Sequence, residues 1–176
     1  MGKTALVIGM GLWVQVPQQE PAWQRFVPAD SSFAVSLPGE PEGSTRFIAS
    51  AYGLLPSHSV STASLEQGQF LVSWTEYPVG AFDTPPAASV FEAARTAVLQ
   101  SKGEDAVVLH RAALPAGAIG LATVFRTGQG RIVSLEFRWE RGRFYQLMAE
   151  TPDQPEAKAA AERFLRSFEL RHRRRL

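Results

Sequence analysis

The sequence contains no cysteine, which excludes disulfides, thiolate metal sites, a cysteine nucleophile and thiol redox chemistry by the chain itself. Its one long apolar run, residues 4–16 (TALVIGMGLWVQV), is shorter than the ~20 residues that a bilayer-spanning helix needs. Neither charge sign dominates, with 18 Lys+Arg against 17 Asp+Glu. Four of the positive charges, Arg171, Arg173, Arg174 and Arg175, fall in the last six residues, and subtracting these four from +1 leaves −3 for the remainder. The body therefore lacks the diffuse positive surface that nucleic-acid binding requires, and no specific nucleic-acid partner is expected.

Catalytic signatures are equally scarce. The histidines, His58, His110 and His172, are far apart and none shows the H-x-x-x-H spacing that presents two imidazoles on one helical face, so no metal site is expected. No serine sits in G-x-S-x-G. Gly9-Met10-Gly11 follows a strand-like Ala5 to Ile8, but Val14 stands where a dinucleotide fold needs its third glycine, and a Pro/Gln-rich stretch replaces the helix that would receive the pyrophosphate. Pro38-Gly39-Glu40-Pro41-Glu42-Gly43 lacks a following Lys-Ser/Thr and carries two glutamates that repel phosphate, so it reads as a turn. Glu104-Asp105 follows Lys102-Gly103 and reads as a solvated turn, not an acid–base pair. No catalytic residue and no cofactor is expected.

What is present is enough apolar material for a core: 176 residues, 45% hydrophobic, with 11 Phe and 4 Trp. That length fits one domain. Three regions are distinguished: an apolar segment with a Pro/Gln linker over residues 1–21, a folded domain over 22–170, and a basic tail over 171–176. Lys3, the apolar run and the polar Pro17–Pro21 stretch resemble a signal peptide, although no A-x-A cleavage site precedes the linker and the positive region is a single lysine. A start codon lying further upstream would produce such a clipped leader. The other reading is a buried N-terminal strand in a cytoplasmic protein, and both stand.

From Trp23 the pattern changes to short alternating segments. Phe33, Val35 and Leu37 alternate with Ser32, Ala34 and Ser36 in a half-buried strand ended by Pro38-Gly39. Weaker strands over 47–54 and 57–63 flank Pro56, and Phe70, Val72 and Trp74 mark a stronger one. Val90, Phe91, Ala94 and Val98 then recur at helical spacing, with Thr84 as N-cap and Gly103 as the stop. Four strands follow, over 107–113, 119–125, 132–139 and 144–149, with Gly128-Gln129-Gly130 as one tight connection. For the last hairpin, a three-residue loop Glu140-Arg141-Gly142 pairs Trp139 with Arg143, Phe137 with Tyr145 and Leu135 with Leu147, keeping apolar residues opposite one another and placing Gly142 at a positive φ. Asp153 and Glu156 form a capping box for a final helix whose stripe is Ala157, Ala160, Ala161, Phe164, Leu165 and Phe168. Runs of adjacent strands separated by two helices predict an antiparallel sheet and an α+β fold.

Five segments carry a family resemblance: Trp23-x-x-Phe26-x-Pro28, Phe33-x-Val35-x-Leu37-Pro38-Gly39-x-Pro41, Trp74-Thr75-x-Tyr77-Pro78, Arg143-x-Tyr145-Gln146-Leu147 and Phe164-x-x-Ser167-Phe168. Together they resemble small bacterial exported or lipoprotein-like proteins of the PsbP-like fold superfamily. The resemblance covers residues 23–170 and implies an α/β/α sandwich around a central, mainly antiparallel sheet with two principal helices. The superfamily includes the extrinsic subunit of the oxygen-evolving complex and a small factor acting on the Ran GTPase. It implies a non-enzymatic protein that binds or stabilises a larger assembly. With the leader-like segment, this reads as an exported or periplasmic module, expected to be a monomer, that serves a protein partner. The alternative it offers is an intracellular regulator of the Ran-factor type, and an enzyme with a site built across strands is the third reading. No functional motif of either relative is present, and the leader lacks the cysteine that lipid attachment requires.

Two patches are singled out as candidate contacts. Arg138, Trp139, Arg141 and Arg143 cluster at one hairpin and could form a cationic, aromatic docking spot for a protein. The other reading is a solvated tip with Trp139 in the core. Arg171, Arg173, Arg174 and Arg175 could meet an anionic surface weakly and salt-sensitively, or simply complement the dipole of the preceding helix.

Overall fold

The computed structural model describes residues 22–64, 66–81, 88–112, 114 and 117–171. Twelve elements follow in order: β1 Trp23–Phe26, β2 Phe33–Pro38, β3 Glu42–Ser50, β4 Gly53–Ser64, β5 Gly68–Glu76, α1 Ala88–Ser101, β6 Val107–Ala112, β7 Ile119–Arg126, β8 Ile132–Glu140, β9 Arg143–Thr151, α2 Pro155–Arg166 and β10 Glu169–Leu170. Seven strands build one antiparallel sheet in the order β3-β4-β5-β9-β8-β7-β6. A second sheet, β1-β2-β10, lies over one face of it beside α2, and α1 covers part of the other face. The architecture is the expected α/β/α sandwich with two principal helices.

Alternation along β9 divides the core in two. Tyr145, Leu147 and Ala149 point to the α2 face, where they meet Phe33, Val35 and Leu37 of β2, Val60, Phe70 and Val72 of the sheet, and Phe164 and Phe168. Phe144 and Met148 point the other way, into a cluster of Phe91 from α1 with Phe125, Val133, Leu135, Phe137 and Trp139. Small residues Ala157, Ala160 and Ala161 let α2 approach the sheet closely, so that Phe164 meets Phe70 edge-on at 5.5 Å. Each such buried aromatic contributes roughly 1.5–3 kcal/mol by area, with about 0.5–1.5 more where rings meet edge to face.

Several expectations are corrected. The last hairpin has a two-residue loop, Arg141-Gly142, with Glu140 opposite Arg143, Trp139 opposite Phe144 and Phe137 opposite Gln146. Positive φ at both loop residues (50° and 80°) is the geometry of a tight I′ turn. Matching apolar residues across the hairpin assumed one buried face, but this sheet is covered on both, so β8 buries its odd-numbered residues under α1 while β9 buries Tyr145 and Leu147 under α2. The turn between the first two strands of the sheet falls at Ala51-Tyr52, not at Pro56. Pro56 lies inside β4, in the stretch that β5 does not reach, where a missing N–H is tolerated.

Asp153 does not cap α2: the N-cap is Gln154 without a side-chain bond, Pro155 opens the helix, and the Asp153 carboxylate is held by Lys158 at 2.5 Å and Arg126 at 2.7 Å. Five strands, not four, precede α1, because Trp23–Phe26 pairs with β2, and the chain after α2 returns as β10. Val90 is exposed although it falls on the predicted stripe; the buried side chain of α1 is Phe91, which stacks on Phe144 of β9 at 5.6 Å. The expected cap Thr84 and the segment over 1–21 lie outside the described residues.

Candidate functional site

Four segments far apart in sequence converge at the end of the sheet where β5 stops and β9 starts. Between β1 and β2 the chain makes a tight turn, with Ser31 at φ 56° donating its N–H to Pro28 O at 2.8 Å. That turn delivers Asp30, whose Oδ1 accepts the Ser32 N–H (3.1 Å) and hydroxyl (2.9 Å) and whose Oδ2 accepts from Arg143 Nη1. Arg143 also donates from Nη2 to Glu76 Oε2 at 3.2 Å, its cross-strand neighbour on β5. Behind them lies buried Tyr145, and at the rim Arg171 is held by its N–H to Ser32 O at 2.9 Å. With Glu140, Arg141 and Leu170 these residues line an open cleft of about 280 Å³.

Three groups of the cleft, Asp30, Arg143 and Tyr145, are moved away from neutrality. Burial raises the Asp30 carboxyl, but the Ser32 N–H and hydroxyl together with Arg143 pull it further down, to below its ordinary value. Burial lowers Arg143, but the bond to Asp30 and its charge, together with Tyr145 and Glu76, outweigh this and hold it above the usual guanidinium range. Burial pushes the Tyr145 phenol up, only partly opposed by Arg143 and Ser32. A general acid or base works best with a pKa near the operating pH, so these groups suit a fixed ionic latch.

A second concavity runs along the other half of the same sheet face. α2 leaves the β6–β7 end uncovered, and Leu109, Val124, Ile132 and Leu165 line a largely apolar groove of about 350 Å³ with Arg126, Lys158, Glu136 and Glu162 around it. Leu109 is the extra residue of a β-bulge between Val108 and His110, a device that re-aims a side chain and bends an edge strand. Val107, Val108 and Leu109 are all exposed along this free edge. Among the described residues no three His, Asp or Glu side chains converge to hold a metal ion, and no helix is long and apolar enough to cross a membrane.

No family model matches the sequence, and no curated protein matches it. Its structure is similar to the solution structure of cyanobacterial PsbP (CyanoP) from Synechocystis sp. PCC 6803, over 91% of this chain and 99% of that one, with a TM-score of 0.57 and 17% identity. The chain has the PsbP-like fold. At that identity the likeness speaks for architecture alone.

Within this PsbP-like domain the residues of the hairpin patch do not form one surface. Arg138 is drawn onto Glu136 Oε2 (3.0 and 2.6 Å) with its guanidinium 5.1 Å above the Phe168 ring. Trp139 points to the opposite face and packs near Tyr77 at 5.7 Å. Arg143 is held by Asp30, leaving Arg141 as the projecting member, 3.2 Å from Glu140. Arg171 joins Arg141 and Arg143 at the cleft, while Arg173, Arg174 and Arg175 lie outside the described residues. His58 stacks on Trp74 at 5.4 Å and bonds Thr45, and His172 is outside the described residues. Sequence reasoning missed Asp30 and Glu76, since nothing local links them to Arg143. It also missed the groove, because no glycine or proline marks the bulge at Leu109.

Proposed function

We propose that this PsbP-like domain is a non-catalytic, exported binding or assembly module whose groove beside β6 receives an extended apolar segment of a partner protein. The observation that carries this reading is the groove itself: a strip of apolar surface continuous with three exposed residues of an edge strand, rimmed by charges of both signs. A balanced rim suits a polypeptide better than a polyanion. The non-catalytic part is supported by the cleft, where Asp30 and Arg143 are bound to one another and, with Tyr145, are displaced from the range useful for proton transfer.

The test is a photo-crosslinking residue at Leu109, compared with one at exposed Thr96 on α1, in cells of the native host, together with the intact mass of the protein in each cell fraction. A discrete protein adduct from Leu109 alone, lost in Leu109→Asp read from a crosslinker at Val107, is the expected result. Equal adducts from both positions would refute the groove as the contact. A full-length mass confined to the cytosol would refute export and favour the intracellular regulator.

A further inference from the structure

The outer edge of β6 bears on how the segment proposed above is held, and the inference drawn from it rests on that groove reading. Among the described residues only β7 pairs with β6, so its outer side offers backbone N–H and C=O groups to a further strand. Edge strands are ordinarily guarded by charge. The opposite edge of the sheet is, with Glu42 and Arg46 along β3. On β6 the first three residues, Val107, Val108 and Leu109, are apolar and 59%, 38% and 48% exposed, and Arg111 is turned to Glu92 of α1 at 3.5 Å.

The faces of these residues decide between a segment resting in the groove and one added to the sheet. Val107 stands opposite Arg126, which lines the groove together with Leu109, whereas Val108 stands opposite Phe125, which is buried in the α1 cluster. Residues directly opposite one another share a face, so the apolar edge is open on both sides of the sheet. A segment in the groove alone would cover Val107 and Leu109 and leave Val108 in water. A strand added to β6 covers all three, because its side chains alternate between the faces while its backbone pairs with the edge.

Charge sets a further property of the occupant. Arg126 and Lys158 share the single carboxylate of Asp153, whereas Glu136 is paired with Arg138 and Glu162 with Arg166. The groove thus has one positive charge to spare, at the end where β6 begins with Val107 opposite Arg126. Every pairing in this sheet is antiparallel, the more stable ladder per residue, and a strand added in that sense finishes at this end. We infer that the partner's segment joins β6 as an eighth, antiparallel strand of the sheet, apolar at the alternate positions that face the groove and carrying an acidic residue at its C-terminal end beside Arg126 and Lys158.

The test is fluorescence anisotropy of the full chain with labelled, end-blocked peptides of alternating valine and threonine. The peptide with a glutamate at its C-terminal end should bind about threefold more tightly than the one with the glutamate at its N-terminal end, the size expected for an exposed ion pair. Successive N–H groups of a strand point to opposite edges, so N-methylation of alternate residues blocks one edge and leaves the other free. One of the two alternate sets should lower affinity roughly tenfold through the lost ladder bonds, and the other should leave it unchanged. An equal effect of the two sets would overturn strand addition while leaving the groove reading in place, whereas unchanged binding to Leu109→Asp would refute the groove reading itself. Tighter binding of the peptide with the N-terminal glutamate would overturn the antiparallel sense. Absence of binding by either peptide would overturn the inference as a whole, and a dimer in sedimentation equilibrium that Val108→Lys dissolves would then assign the edge to a second copy of the chain.

Discussion

Replacing Asp30 with Asn keeps the shape of the side chain and removes the charge that ties the β1–β2 turn to β9. The native carboxylate receives three bonds, one from a guanidinium whose side chain is only 18% exposed. A hydrogen bond to a charged group contributes roughly 1.5–3 kcal/mol. With the carboxylate itself a third exposed, solvent screening reduces the expected loss to about 1–2 kcal/mol. For a domain of this size that is a fall of about 2–8 °C in Tm.

The pH dependence follows from the direction of the shift. Asp30's folded pKa lies below its ordinary value of 3.8, so its contribution is fully present above about pH 4 and is lost as pH falls through the folded-state value. Urea melts of wild type and Asp30→Asn should therefore differ by a constant amount from pH 7 to 5 and converge toward pH 2. An undiminished gap at pH 2, or one already closed at pH 6, would refute the reasoning. A double-mutant cycle with Arg143→Met isolates the pair.

Gly68 is at φ +106°, and a Cβ there would fall 2.1 Å from Glu150 O and 2.9 Å from Thr151 Cα. Gly68→Ala should cost more than about 2 kcal/mol by urea unfolding, whereas Gly39→Ala, at φ +83° with nothing within 4 Å, should cost only about 1–2 kcal/mol from backbone strain. Phe164→Ala opens a cavity under α2 and should lower stability by about 3–5 kcal/mol in the same assay.

Periodicity alone was enough to place both helices and the four strands between them, because repeats of 3.6 and 2 depend on which residues face a core and not on what that core is. Phe33, Val35, Leu37, Phe70 and Val72 were legible as core for the same reason, and all five are fully buried. Turn chemistry was legible where a glycine carries it, as at Gly103, Gly130 and Gly142, each at positive φ.

Tertiary structure decided the rest. The β8–β9 register could not be read from apolar matching, because covering the sheet on both faces lets Phe137 and Gln146 stand opposite one another while Phe137 and Tyr145 are buried on opposite sides. Asp153 was drawn from its cap by two cations, one of them on β7. The ionic cleft joins residues 30, 76, 143 and 171, which only the pairing of β5 with β9 and the return of the chain beside β2 bring together. The sequence by itself determined the elements and most of the core, since those depend on local patterns. Which surfaces remained open, and which charges met, depended on long-range packing that no local pattern encodes.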